Sequence, residues 1–108
     1  MCGIAGFFNA SFDFMESRQL YEKVLEDMKN SIVHRGPDSD GIRLFKHCGI
    51  AHTRLAIIDL LGGIQPMSRK LDGYSYHIVY NGEIYNTDLL RKKLKNAGWS
   101  FVSGFDTE

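Results

Sequence analysis

Four places in the chain carry residue types that could do chemistry together. The first is the start, Met1-Cys2-Gly3-Ile4-Ala5-Gly6. Removal of Met1, which a small side chain at position 2 permits, leaves a thiol and a free α-amine on one residue. An α-amine with a pKa of about 7.7–8 can take the thiol's proton at neutral pH, so Cys2 would hold a nucleophile and its own base. The competing reading is a small apolar residue opening a buried strand, and position alone favours that one. The second place is Arg54, set in the otherwise apolar stretch from His52 to Asp59. Its planar donor fork suits a carboxylate, although a structural ion pair with Asp59 or a solvated edge position explains it equally. The third is Asn81-Gly82, where a side-chain amide and a glycine N–H can converge on one point, as stabilisation of an oxyanion requires. The same dipeptide also marks tight hairpin turns. The fourth is Asp106, which could bind an ammonium group or serve as a solvated loop residue or helix cap.

These residues need elements to hold them. Gly3 to Phe8 is a short apolar run and reads as a buried strand. From Glu16 the period changes: Leu20, Val24, Met28 and Ile32 recur every four residues, predicting an amphipathic helix that ends near Ile32. Ser17 or one of its neighbours is placed to cap it, and Glu16 near its start suits the helix dipole. His34 to Gly41 is loop by composition. Gly41 to Lys46 and Cys48 to Ile58 then read as two strands turning at Lys46-His47. Tyr74 to Tyr80 is a further strand. A second helix runs from Asp88 to Ala97 with Leu89, Leu90, Leu94 and Ala97 on its apolar face and Gly98 just beyond its end. Trp99 to Val102 begins another strand. The order predicts an α+β fold with mostly antiparallel strands and helices packed on the sheet.

Composition narrows the class of protein. The chain has 108 residues, the size of one small domain, with 13 basic and 13 acidic side chains. Zero formal charge gives no electrostatic case for nucleic acid or a membrane surface. No apolar run approaches the roughly 18 residues of a membrane span, and no signal peptide is evident. Two cysteines, Cys2 and Cys48, suggest a reducing, cytoplasmic setting. No Cys or His spacing matches a metal site, so none is expected. No glycine-rich phosphate loop is present.

Six stretches in order then resemble one family. They are Met-Cys-Gly-Ile-Ala-Gly-Phe-Phe at Met1 to Phe8, His-Arg-Gly-Pro-Asp at His34 to Asp38, Arg-Leu-Ala-Ile-Ile-Asp at Arg54 to Asp59, Gln-Pro-Met at Gln65 to Met67, Tyr-Asn-Gly-Glu-Ile-Tyr-Asn at Tyr80 to Asn86, and Asp-Thr-Glu at Asp106 to Glu108. Together they resemble the class II glutamine amidotransferases, and within them the glutaminase domain of glutamine-hydrolysing asparagine synthetases.

That resemblance implies a fold and a set of roles. The fold is the αββα four-layer sandwich of antiparallel sheets found in N-terminal-nucleophile hydrolases, with residues 1–108 making up about its first half. Cys2 is implied as the nucleophile, and Asn81 and Gly82 as the oxyanion-binding pair. Arg54 and the backbone of Leu55, Ala56, Ile57 and Ile58 would bind the glutamine carboxylate and line its pocket. Glu83 and Asp106 would lie near the α-amine. Phe105 stands where the family often has serine, so the loop presenting Asp106 is expected to be altered.

The resemblance further implies glutamine as substrate, no cofactor in this segment, and a C-terminal synthetase domain using ATP and Mg²⁺ in the parent chain. It also allows a homodimer. A paralogous amidotransferase with another ammonia acceptor, and an inactive truncated fragment, are the alternatives. A half sandwich would leave sheet edges exposed and be marginally stable or associating when isolated.

Overall fold

The computed structural model describes residues 2–56 and 63–108. Strand β1 spans Gly3–Phe8, β2 spans Ser39–Leu44 and β3 spans Cys48–Arg54. They form an antiparallel sheet in the order β1-β3-β2. A second antiparallel sheet pairs β4, Met67–Leu71, with β5, Tyr74–Ile78. Helix α1 is Arg18–Ser31 and α2 is Thr87–Asn96. The architecture is the expected α+β class with two antiparallel sheets.

Alternation along the strands explains where the core lies. Side chains two apart share a face, and the paired registers put Gly3, Ala5 and Phe7 level with Thr53, Ala51 and Gly49, and these with Asp40, Ile42 and Leu44. That face receives α1. Leu25 of α1 is fully buried, as is Ala51. Phe7, Phe12, Phe14 and Tyr21 close the end of this layer in tilted and edge-on ring contacts at 4.6–5.9 Å. Lys29 is the polar member of the layer: its ammonium bonds Glu26 at 2.6 Å and Asp40 at 3.1 Å, which ties the end of α1 to β2. Thr53 Oγ1 donates to the Ile32 carbonyl at 3.3 Å and fixes the chain as it leaves the helix.

Several expectations need correcting. Ser17 occupies the N-cap position of α1 but its side chain makes no cap bond. A 3₁₀ turn, Phe14–Ser17, precedes the helix instead, so Glu16 sits in that turn, and Asp13 caps it by accepting from the Met15 N–H at 2.9 Å. Strand β3 ends at Arg54, with Leu55 and Ala56 in irregular backbone; Ile57 and Ile58 lie outside the described residues. Strand β4 was not anticipated. Its turn is Asp72-Gly73, with φ of 50° and 80°, the residue pair that tight hairpins favour.

Trp99 to Val102 is not a strand. The Val102 N–H bonds the Glu108 carboxylate rather than a neighbouring strand. Helix α2 does end as Gly98 predicts. The Gly98 N–H bonds Lys95 and the Trp99 N–H bonds Leu94, the paired bonds of a Schellman motif with Gly98 at φ 93°. The apolar face of α2 is uncovered: Leu89, Leu90 and Leu94 are exposed and the helix buries no residue. A radius of gyration of 15.4 Å fits this openness, since a packed chain of this length would have about 13 Å.

Candidate active site

Cys2 and Arg54 meet where β1 starts and β3 ends. Those strands are antiparallel, and Gly3 pairs with Thr53. One position further brings Cys2 level with Arg54. The sequence separates these residues widely, and strand pairing alone unites them. Cys2 is half-buried, and its carbonyl accepts from Arg35 Nε at 3.2 Å. Arg54 is 8% exposed.

The loop from His34 to Asp38 wraps this end of the sheet. The Asp38 N–H donates to the Arg54 carbonyl at 3.0 Å, while Asp38 Oδ2 accepts from the Ala56 N–H at 2.7 Å. Asp38 therefore holds the backbone on both sides of Leu55. Gly36 is what allows the loop to lie so close. A Cβ there would stand 2.5–2.6 Å from backbone atoms of Arg54 and Thr53, which cannot yield as a flexible side chain can.

The far end of the chain returns to the same place. The Phe105 ring lies 5.7 Å from the Arg54 guanidinium carbon, a cation–π distance. Beside it, Asp106 Oδ2 accepts from the Ile84 N–H at 2.8 Å, which draws the half-buried Asp106 to the segment carrying the exposed Glu83. Phe105 thus leaves Asp106 attached and adds a ring against Arg54. Asn81, half-buried, and Gly82, exposed, begin that segment. They form no hairpin, since β5 ends at Ile78 and the chain runs on to α2. The preceding residue, Tyr80, is tied to His52 of β3 through its carbonyl at 3.3 Å.

Comparison with known proteins decides what kind of site this is. Residues 1–108 match the glutamine amidotransferase domain family along their whole length. The chain belongs to that family. All 108 residues align with "Asparagine synthetase [glutamine-hydrolyzing] 1" of Bacillus subtilis at 43% identity. They align at 39% with "Asparagine synthetase [glutamine-hydrolyzing] 3" of the same organism and at 36% with "Asparagine synthetase B [glutamine-hydrolyzing]" of Escherichia coli. The chain spans 16–18% of the length of these relatives.

Two titratable groups of this amidotransferase domain shape the site although the sequence alone assigned them no role in it. His52 is fully buried. Burial pushes its imidazole below the ordinary value of 6.5, the Tyr80 carbonyl opposes this, and the Arg54 charge adds to the lowering. It is neutral at pH 7. Its position two residues before Arg54 on one strand face was the available signal.

Glu108 organises the loop that carries Phe105 and Asp106. It accepts from the Val102 N–H at 2.8 Å, from the Ser103 N–H and hydroxyl at 2.7 Å each, and from Arg69 at 2.7 Å. Arg91 of α2 adds bonds to the carbonyls of Ser103 and Phe105. Burial alone would raise the Glu108 pKa, but the Val102 N–H, the Ser103 hydroxyl, Arg69 and the Ser103 N–H lower it from 4.5 to about 2. A carboxyl depressed on folding stabilises the fold above its unfolded value and loses that contribution as pH falls through its folded value. Acid titration followed by fluorescence of Trp99, the one tryptophan of residues 1–108, is therefore expected to show the loop loosening between pH 4.5 and about 2. Glu108→Gln should be less stable at neutral pH and lack this transition. An identical acid transition in the variant would refute the assignment.

Proposed function

We propose that this domain hydrolyses glutamine to glutamate and ammonia through a thioester on Cys2. The observation that carries the reading is the register placing Cys2 level with Arg54 at one sheet end, with the Phe105-Asp106 loop against it. Free glutamine is a zwitterion. Arg54 suits its α-carboxylate, and Asp106 and Glu83 suit its ammonium. Asp106 uses Oδ2 on Ile84, which leaves Oδ1 for the ligand. The backbone of Leu55 and Ala56 lines the pocket in this reading. The side-chain amide then lies toward Cys2.

The thiolate, having given its proton to its own amine, adds to the amide carbon. The C=O pair moves onto oxygen, stabilised by Asn81 and Gly82. Collapse breaks the C–N bond, and the nitrogen leaves as ammonia with the proton held on the amine. Water then cleaves the thioester, releasing glutamate and restoring the thiol.

The similarity to asparagine synthetases supports a larger role. In it, residues 1–108 are part of the glutaminase portion of a longer cytoplasmic chain. Ammonia would be used by a synthetase domain to amidate aspartate, with ATP and Mg²⁺ bound outside these residues. The relatives' names favour aspartate over other acceptors. A homodimer belongs to the same proposal, and neither nucleic acid nor a membrane has a part in it. Among the described residues, no helix is long and apolar enough to cross a membrane.

Incubating the full-length chain with a diazo-ketone analogue of glutamine and mapping the adduct by mass spectrometry tests the reading. The expected result is one adduct, on Cys2 of chains lacking Met1, blocked by glutamine. Glutamine hydrolysis without labelling at Cys2 would overturn it. Arg54→Lys keeps the charge but loses the planar fork, so it is expected to raise KM for glutamine about 10–100-fold while kcat stays within about threefold. A fall in kcat at unchanged KM would contradict the carboxylate role.

A further inference from the structure

We infer that His52 and Gln65 are positioning residues for the Asn81-Gly82 segment, clamping the peptide groups of Tyr80 from both sides. The inference rests on the glutaminase reading and deepens it.

Tyr80 lies beyond the end of β5, where among the described residues no strand neighbour takes its backbone groups. Two side chains replace that neighbour. The Tyr80 N–H donates to Gln65 Oε1 at 2.6 Å. The Tyr80 carbonyl accepts from His52 Nε2 at 3.3 Å. His52 is fully buried and Gln65 is 9% exposed, so each part-buried bond has a side-chain partner largely withdrawn from water, where a lost partner is costly. The carbonyl partner fixes the tautomer, with the hydrogen on Nε2.

Peptide planarity makes this clamp bear on the next residue. The Tyr80 carbonyl and the Asn81 N–H belong to one rigid plane. Holding that carbonyl sets the plane's tilt, and with it the direction in which Asn81 leaves. The Tyr80 N–H belongs to the preceding plane, so Gln65 holds the other side of the same α-carbon. Two planes fixed about one α-carbon leave its dihedral angles little freedom.

The anchors also connect the two halves of the site. His52 sits on β3 two residues before Arg54, on the same face. One strand therefore presents the guanidinium and holds the oxyanion segment at a set distance from it. The imidazole is not there for packing alone. Its Nδ1 is buried with no hydrogen-bond partner among the described residues, a cost that an apolar side chain of similar size avoids. What it gains is the bond to Tyr80. Burial, which keeps the ring neutral, keeps it from adding a second positive charge beside Arg54.

The test uses the full-length chain with His52→Leu, His52→Gln and Gln65→Met. Glutamine in place of His52 keeps an N–H donor near the reach of Nε2, whereas leucine does not, and methionine removes the acceptor at 65 at similar volume. Three quantities are measured: kcat and KM for glutamate release, inhibition by glutamate γ-semialdehyde, and the rate of Cys2 alkylation by iodoacetamide. In the aldehyde adduct the thiolate adds to the carbonyl carbon and the electron pair moves onto oxygen with no group leaving, so its stability reads the oxyanion donors. Alkylation displaces iodide at a saturated carbon and reads only the thiolate.

His52→Leu and Gln65→Met are expected to lower kcat about 10–100-fold with KM within about threefold, to weaken the aldehyde by a similar factor, and to leave alkylation within about twofold. His52→Gln should recover kcat to within about fivefold of the original. Unchanged kcat in the leucine and methionine variants, parallel loss of alkylation, or no recovery with glutamine would each overturn the inference. If His52→Leu does not fold, Gln65→Met decides by the same criteria. Failure of the unmodified chain to release glutamate would reject the glutaminase reading and this inference with it. An active parent with unaffected variants would reject only the inference.

Discussion

Cys2→Ala is expected to lower glutamate release from the full-length chain by about 10⁴-fold or more, the scale of loss when a covalent nucleophile is removed. The substitution isolates chemistry from folding. Cys2 lies one residue before β1 and is only half-buried, and the bond from Arg35 reaches its carbonyl rather than its sulfur. Alanine keeps that carbonyl and nearly the same volume, so the sheet end survives while the thiol is lost. A companion experiment separates the thiol from its base. A chain shown by mass spectrometry to retain Met1 still has the cysteine, but its α-amine has become a peptide nitrogen. Glutamate release should fall to a similar level, although slow alkylation of the thiol persists. Residual activity above about one tenth of the parent in the alanine variant would remove Cys2 from the mechanism.

How much of this was legible before the structure depends on which forces leave a periodic trace. β1 was readable as a short apolar run, and β2 and β3 as two strands either side of Lys46-His47; β3 buries residues on both faces and so carries no alternation. α1 was readable from Leu20, Val24, Met28 and Ile32, although its first turn was not. Asp13 competes as a cap four residues upstream, and Phe14 is drawn into the aromatic cluster, so the chain makes a 3₁₀ turn before the helix. β4 carries Ser68, Arg69 and Lys70 with no buried face, hence no alternation; Asp72-Gly73 was the overlooked signal. Trp99 to Val102 misled because its composition suits a strand, whereas the Trp99 N–H closes α2 on Leu94 and the Val102 N–H goes to the Glu108 carboxylate.

The site divides the same way. Cys2, Arg54 and Asn81-Gly82 have residue types whose chemistry is specific enough to suspect from sequence, and pairing of β1 with β3 supplies the proximity of the first two. The contacts that hold them are made by Gly36, Asp38, Gln65, His52 and Glu108. Each acts on backbone atoms, far away in sequence for all but the last. Such bonds have no period and no fixed spacing, so only the folded chain shows them. Gly36 is the clearest case: in sequence it is a turn residue before proline, and in the fold its lack of a Cβ lets the loop lie on the Arg54 backbone.

Asn81→Ala is expected to reduce kcat for glutamine about 10²–10³-fold while KM stays within about threefold, because an oxyanion donor acts on charge that exists only in the transition state. In the proposed mechanism the side chain of Asn81 takes this role, and the backbone that carries it is held on both sides. The Asn81 N–H shares a plane with the clamped Tyr80 carbonyl, and Ile84, three residues later, is fastened to Asp106. The segment between is thus held at both ends, and Asn81 is half-buried. A donor whose backbone is fixed in advance needs no reorganisation when charge develops. Asn81→Asp sharpens the test, since it keeps shape but replaces a donor with a carboxylate that repels the oxyanion; it should be at least as damaging as alanine. Inhibition by glutamate γ-semialdehyde should weaken in step with kcat in both variants, and glutamine binding should not. Asparagine variants that change KM alone would place this residue in substrate binding and leave the oxyanion without its side-chain donor.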